Sequence, residues 1–212
     1  MLAALAISGA AGGCAARSPG DRAAERLVGH VQSRRLTCES RSAADLLAFH
    51  GLGGGEADVF ARLPRSDNPD LGFVGDPDGP TGRLPPEGYG VHAEPLARAL
   101  RALGLDATAG LRDYDWLVEE TRAGRPVIVW VTGSCEPSEV TPGLDAARRP
   151  YRAVRGEHTM LVVAADGAGV TVVDPAEGAR RRFARDEFES AWRLFDRVVV
   201  SATGPSSARP TR

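Results

Sequence analysis

The sequence contains no lysine; all 26 of its basic residues are arginine. That absence removes Schiff-base lysines, Ser-Lys dyads and a phosphate-loop lysine from the candidate chemistries. Cysteine is scarce. Cys14, Cys38 and Cys135 are the whole set, too few for a disulfide framework. No apolar run reaches the roughly 18–20 residues of a membrane-spanning helix. Charge of one sign is not in excess either. With 28 acidic residues the net charge is −2, which supplies no basic field for nucleic acid. No His or Cys pair has metal-ligand spacing, so neither a metal nor a cofactor is expected.

What is present is an ordinary globular composition. The chain has 212 residues, 42% hydrophobic and 25% charged, enough for one domain with a normal core. Residues 1–20 read as a signal-like segment and linker, 21–203 as the folded domain, and 204–212 (GPSSARPTR from Gly204) as a disordered tail. The first of these, MLAALAISGAAGG followed by Cys14, resembles a bacterial lipoprotein signal. It departs from that pattern in having no basic residue before the apolar run and Ala11 three positions ahead of Cys14. The resemblance implies an exported protein of the cell envelope or extracellular space, attached to the membrane through a lipidated Cys14. A monomer is expected.

Hydrophobic periodicity predicts a weak helix over 21–34 and a stronger one over 39–49, where Ala43, Leu46, Leu47 and His50 share a face before Gly51. Residues 63–90 form a long segment rich in Pro, Gly, Asp and Asn. Its Leu71, Phe73, Val74 and Tyr89 argue that it wraps a site rather than hangs free. Helices are predicted over 93–103 and 113–123. The run PVIVWVT, 126–132, suits a fully buried strand. Residues 135–150 read as irregular. Strands follow over 159–164, 170–173 and 181–183, the first two joined by the turn signal ADGAG. A helix over 186–195 and a strand over 198–202 complete the domain. Helices first and antiparallel strands second indicate an α+β fold.

Cys38 stands where the 39–49 helix begins. Free N–H groups and the positive end of the helix dipole favour a thiolate there. Of the four histidines, His158 is the best base, because it opens a strand (HTMLVVAA) whose hairpin partner ends in Asp174-Pro175. In such a hairpin those two positions are neighbours, so Asp174 can orient the imidazole. Gln32-x5-Cys38, His158 and Asp174-Pro175 together resemble the C39-like peptidase family, a papain-like group that includes the leader-processing domains of bacteriocin exporters. The block HTMLVVAADGAGVTVVDP is the most specific part of that resemblance.

The resemblance implies a papain-like cysteine peptidase fold, with N-terminal helices packed on a C-terminal antiparallel sheet. It also implies hydrolysis of a peptide or protein substrate by a Cys38-His158-Asp174 triad, with the Gln32 amide and the Cys38 N–H in the oxyanion hole. Two other readings remain open. One is a non-catalytic papain-like module binding peptides or a partner, which a Cys38–Cys135 disulfide would favour. The other is an acyltransferase or amidase on the same triad. Glu39-Ser40 stand where the family has Gly-Pro or Gly-Ala, and an inward-pointing Glu39 would raise the Cys38 pKa.

Rival motifs are incomplete. His92-Ala93-Glu94 has no Pro-Cys-x-x-Cys after it, GLGGG lacks the phosphate-loop pattern, and Ser134 has no nucleophile-elbow context. The acidic SDNPD and GDPDG stretches read as turns before calcium loops. His92 is expected to line the cleft, and His30 and His50 to lie on a helix surface or in the core.

Overall fold

The computed structural model describes residues 18–207. The signal-like segment, Cys14 and the last five residues lie outside them. Helix α1 (Pro19–Arg26) opens on a capping box between Ser18 and Asp21. It stops well short of residue 34, and Arg180 donates to the carbonyls of Ala24 in its last turn and of Leu27 just past it. The chain then runs without regular structure to α2 (Cys38–Phe49), which is buried on nearly all sides in its first turns and closed by Gly51 at φ 73°. A short α3 (Glu56–Phe60) follows.

The 63–90 segment is largely irregular but carries a small antiparallel pair, β1 (Val74–Gly75) and β2 (Gly88–Gly90). Its Phe73, Val74 and Tyr89 are buried, as its apolar residues suggested. Then come α4 (Ala93–Ala102), β3 (Leu105–Leu111), α5 (Tyr114–Arg122), β4 (Val127–Thr132), β5 (Val140–Leu144), β6 (Pro150–Val154), β7 (Glu157–Asp166), β8 (Gly169–Asp174), β9 (Ala179–Ala184), α6 (Arg185–Arg193) and β10 (Val198–Pro205).

Six strands form one antiparallel sheet in the order β3-β10-β4-β7-β8-β9. The fold is therefore α+β, with α2 and α4 packed on one face and α5 and α6 on the other. The central strand β4 explains its own sequence. Ile128 and Trp130 enter the core under α2 and α4, while Val127, Val129 and Val131 enter the core under α5 and α6. A strand covered on both faces needs a continuous apolar run. β7 splits the same way: Leu161 and Val163 join the core under α2, and Met160 and Val162 join the core under α5 and α6. The turn after it is held by Asp166, whose carboxylate accepts from Ala168 and Gly169 N–H.

Six elements were not read from sequence: α3, β1, β2, β3, β5 and β6. Residues 135–150, expected to be irregular, contribute β5 and lead into its partner β6. β5 is an exposed ribbon with no buried side chain, so it shows no apolar alternation. β3 lies at the edge of the main sheet and is built from small residues, with only Leu105 and Ala107 buried. The sheet also extends past the expected end of the domain. β10 reaches Pro205, and Ser206 N–H still donates to Gly104 carbonyl at 2.7 Å.

Candidate active site

The chain leading into α2 is tied down before the cysteine arrives. Gln32 N–H donates to Pro175 carbonyl at 2.8 Å, and Leu36 N–H to Pro77 carbonyl at 2.9 Å. Glu56, from the buried start of α3, accepts from the N–H and hydroxyl of Ser33 and from the hydroxyl of Thr37. Thr37 is the N-cap residue, so Glu56 fixes the position at which the helix starts. Cys38 is thereby placed in the first turn, among backbone N–H groups with no carbonyl partner inside the helix.

Among the described residues, no hydrogen bond joins the Cys38 thiol to His158. Cys38 is 5% exposed, and its Sγ donates to Glu39 Oε2 at 3.3 Å. Glu39 therefore points inward. It is fully buried, and its Oε1 accepts from Val91 N–H at 2.5 Å, while the Val91 carbonyl accepts from the Trp130 indole at 3.0 Å. Glu157, at the start of β7, joins the two. Ligand-type atoms of Cys38, Glu39 and Glu157 lie within 4.8 Å of one another. Gly90 makes room for this group. At φ 128° it has a left-handed backbone, and a Cβ there would collide with Glu39 Oε1 and crowd Glu157 Oε2.

The electrostatic consequence runs one way. Burial, then the neighbouring Glu39 and Glu157, push the Cys38 thiol well above its ordinary pKa, against a smaller opposing effect of Thr159. Burial raises Glu39 to about 7. Burial and the charge of Glu39 carry Glu157 well above the usual carboxylate range. This corner of the cleft disfavours negative charge on every group in it.

His158 and Asp174 are brought together as expected. His158 pairs with Val131 across β4 and β7, and its Nε2 lies 2.8 Å from Asp174 Oδ1. Asp174, 1% exposed at the end of β8, also accepts from Ala176 N–H at 2.9 Å and from Arg181 Nη1 at 2.7 Å. Burial alone would raise this carboxyl, but the hydrogen bonds from His158, Ala176 and Arg181 hold it at about 2. His158 and Cys38 line the same narrow cleft of about 60 Å³, together with Leu36, Arg83, Tyr89 and Glu157.

Gln32 is placed differently from Cys38 and His158. Its side-chain amide donates to the carbonyls of Arg34 at 2.8 Å and Arg35 at 2.9 Å, and it lines a separate surface depression with Val31, Asp78 and Ala176. His92, expected at the cleft, instead lines an apolar groove of about 1050 Å³ with Leu111, Leu144, Tyr151 and Phe195, its Nδ1 2.7 Å from Asp70 Oδ1. His30 lies in the loop after α1 and contacts Asp45 at 2.7 Å. Cys38 and Cys135 are both free thiols.

Three residues were missed in the sequence: Glu56, Arg181 and Glu157. For Glu157 a signal existed. The two-residue period of the strand HTMLVV puts it on the face of Thr159 and Leu161, which α2 covers, and a carboxylate on such a face is out of place.

No protein-family model and no curated protein sequence matches the chain. Solved structures do. A Bacillus anthracis protein assigned to the C39-like peptidases superposes with a TM-score of 0.74 over 86% of this chain and 97% of its own, at 22% identity. A double-glycine-motif protease from an AMS/PCAT transporter, solved with its leader peptide, gives 0.46 over 82% of this chain and 89% of its own, at 15% identity. The class is thus a papain-like α+β fold. More narrowly, it is the fold of the C39-like peptidases.

Proposed function

We propose that the chain is a thiol hydrolase of the cysteine-peptidase kind, acting on a peptide or protein. The supporting observation is the His158–Asp174 pair, built at the end of a rigid hairpin and sharing a cleft with a cysteine in the first turn of a buried helix. Asp174 occupies Nε2, so Nδ1 is the nitrogen left to take the thiol proton. Cys38 must first leave Glu39 and turn toward the imidazole. The thiolate then attacks the scissile carbonyl, the imidazolium protonates the departing amine, and water hydrolyses the thioester. The Cys38 N–H, free at the helix start, donates to the oxyanion.

Cleavage of a peptide library, with labelling by a thiol-reactive probe, tests this reading. Both activities should disappear in Cys38→Ala, and His158→Ala should lose cleavage and slow labelling. A thiol of ordinary reactivity that ignores His158 would sink it.

One observation favours a second reading, a non-catalytic binding module. The Cys38 thiol is buried and bonded to a carboxylate, not to His158. Peptide binding without turnover, unchanged in Cys38→Ala, would decide for it.

Export with attachment through a lipid on Cys14 belongs to the same proposal and is supported by the apolar segment before that residue. Metabolic labelling with a fatty-acid analogue, lost in Cys14→Ser, tests it. Among the described residues, no helix is long and apolar enough to cross a membrane.

A further inference from the structure

We propose that Cys38, Glu39 and Glu157 form a binding site for a thiophilic divalent cation, Zn²⁺ foremost. The inference stands on this geometry and does not require the hydrolase reading.

One sulfur and two carboxylates meet within 4.8 Å. The Cys38 Sγ to Glu39 Oε2 distance of 3.3 Å is close to the edge of a zinc tetrahedron, about 3.5 Å for Zn–S near 2.3 Å and Zn–O near 2.1 Å. Glu39 is already oriented for the role. Val91 N–H holds Oε1 and leaves Oε2 on the side of the thiol. A fixed second partner of this kind is what positions a metal-ligating carboxylate.

The independent observation is Glu157. Both of its carboxylate oxygens are buried, and neither has a hydrogen-bond partner among the described residues. A buried carboxylate without partners is among the most costly arrangements a protein can hold. A proton neutralises one carboxylate at a time and leaves the thiol and the other carboxyl as they are. A cation at the centre of the cluster satisfies all three side chains at once.

The sulfur selects the cation class. Magnesium and calcium take oxygen ligands, whereas a thiolate favours zinc and its softer relatives. Binding releases to solvent the thiol proton and any proton that Glu39 or Glu157 holds in the metal-free state, as the metal–sulfur and metal–oxygen bonds form. Three protein ligands leave a fourth position for water or a substrate atom. A metal-bound Cys38 cannot attack a carbonyl, so cation binding and any chemistry at this thiol exclude one another. Sequence spacing gave no sign of the site, because only one ligand is of the His or Cys type and Glu157 is brought in by the sheet.

Cobalt substitution provides the spectroscopic test. The reduced full chain, stripped with a chelator, should bind one equivalent of Co²⁺ with a sulfur-to-metal charge-transfer band, and Zn²⁺ should displace it. Cys38→Ser should abolish the band. Glu157→Gln should weaken Zn²⁺ binding by about 100-fold or more, beyond the 10- to 100-fold typical of losing an outer-sphere partner. A measurement on the unmutated protein guards against a folding defect. Zn²⁺ should protect Cys38, and not Cys135, from alkylation as read by peptide mass spectrometry.

Absence of the charge-transfer band, its survival in Cys38→Ser, or alkylation of Cys38 indifferent to Zn²⁺ would overturn the site. The two proposals fail separately. A chain that binds Zn²⁺ through Cys38 yet cleaves nothing refutes the hydrolase and keeps the site. A hydrolase whose thiol ignores Zn²⁺ does the reverse.

Discussion

His158 and Cys38 line one cleft, but the surroundings of the two differ in every respect that governs charge. On the hairpin side, Asp174 receives three hydrogen bonds and stays ionised, with its carboxyl held at about 2. On the helix side, Glu157 receives none among the described residues, Glu39 is lifted to about 7, and burial, with both carboxylates, pushes the thiol up. One half is preorganised to support a base. The other suppresses anions, including the one a nucleophile needs. On the hydrolase reading proposed above, the oriented imidazole is ready before the thiol is, and activation acts on the helix side, through whatever relieves the carboxylates around Cys38.

The largest expected effects break the pairing itself. Cys38→Ala and His158→Ala should each lower kcat/KM by about 10⁴-fold or more, measured on a cleaved reporter peptide. Asp174→Asn should follow, with a loss of about 10²- to 10⁴-fold, because the amide no longer fixes the tautomer that presents Nδ1. The same variant leaves one acceptor oxygen where His158 and Arg181 each had their own, and chemical denaturation should show a loss of about 1–3 kcal/mol. Equal kinetic losses in Asp174→Asn and a surface Asp→Asn control would remove the hairpin from the mechanism.

The hairpin half was legible in the sequence, and the helix half only in part. His158 and Asp174 announced themselves because strand periodicity and a short turn dictate which residues face each other. The buried run at β4 was equally plain. Cys38 at a helix start could be read, and Glu39 could be flagged, but not its direction. That direction depends on Val91 N–H, 52 residues away, arriving at the carboxylate at the end of the 63–90 segment. Glu56 was missed because long-range contacts give it its meaning, whereas Glu157 could have been flagged from the strand period alone. The exposed ribbon β5 was invisible because it buries no periodic face, and the edge strand β3 because its buried alternation is only Leu105 and Ala107.

The comparison can be sharpened by pH, since the two halves slope oppositely. Asp174 is depressed in the folded state. Its contribution is complete above its ordinary 3.8 and is lost as pH falls toward about 2. Glu39 and Glu157 are raised. Their unfolded forms ionise near the ordinary 4.5 while the folded forms keep their protons, so stability is lost as pH rises from there through about 7 for Glu39. A decline in metal-free stability between pH 4.5 and 7 therefore reports the helix half, since His50, whose pKa burial lowers, slopes the other way there. Glu157→Gln should flatten that decline. It should raise the melting temperature at pH 7 by about 2–4 °C, the shift expected for about 1 kcal/mol in a domain of this size, and leave it unchanged at pH 4.5. A wild-type profile already flat across this window would mean that the carboxylates are solvated and the contrast is lost.

The smallest expected effect concerns Gln32, which the family resemblance assigns to the oxyanion hole and the geometry gives another task. Its amide braces the Arg34 and Arg35 carbonyls in the strap before α2, while its backbone N–H bonds Pro175, next to Asp174. This connection runs from the helix half to the hairpin half beneath the cleft. If bracing is its role, Gln32→Ala should cost about 1 kcal/mol of stability, as two partly exposed hydrogen bonds are lost, and lower kcat by less than about tenfold. Removing an oxyanion donor has a different signature, a fall of about 10²- to 10³-fold in kcat with little change in stability. Denaturation and steady-state kinetics on one preparation separate the two. The second outcome would require the strap to rearrange when substrate binds, with the amide exchanging two backbone carbonyls for the developing oxyanion.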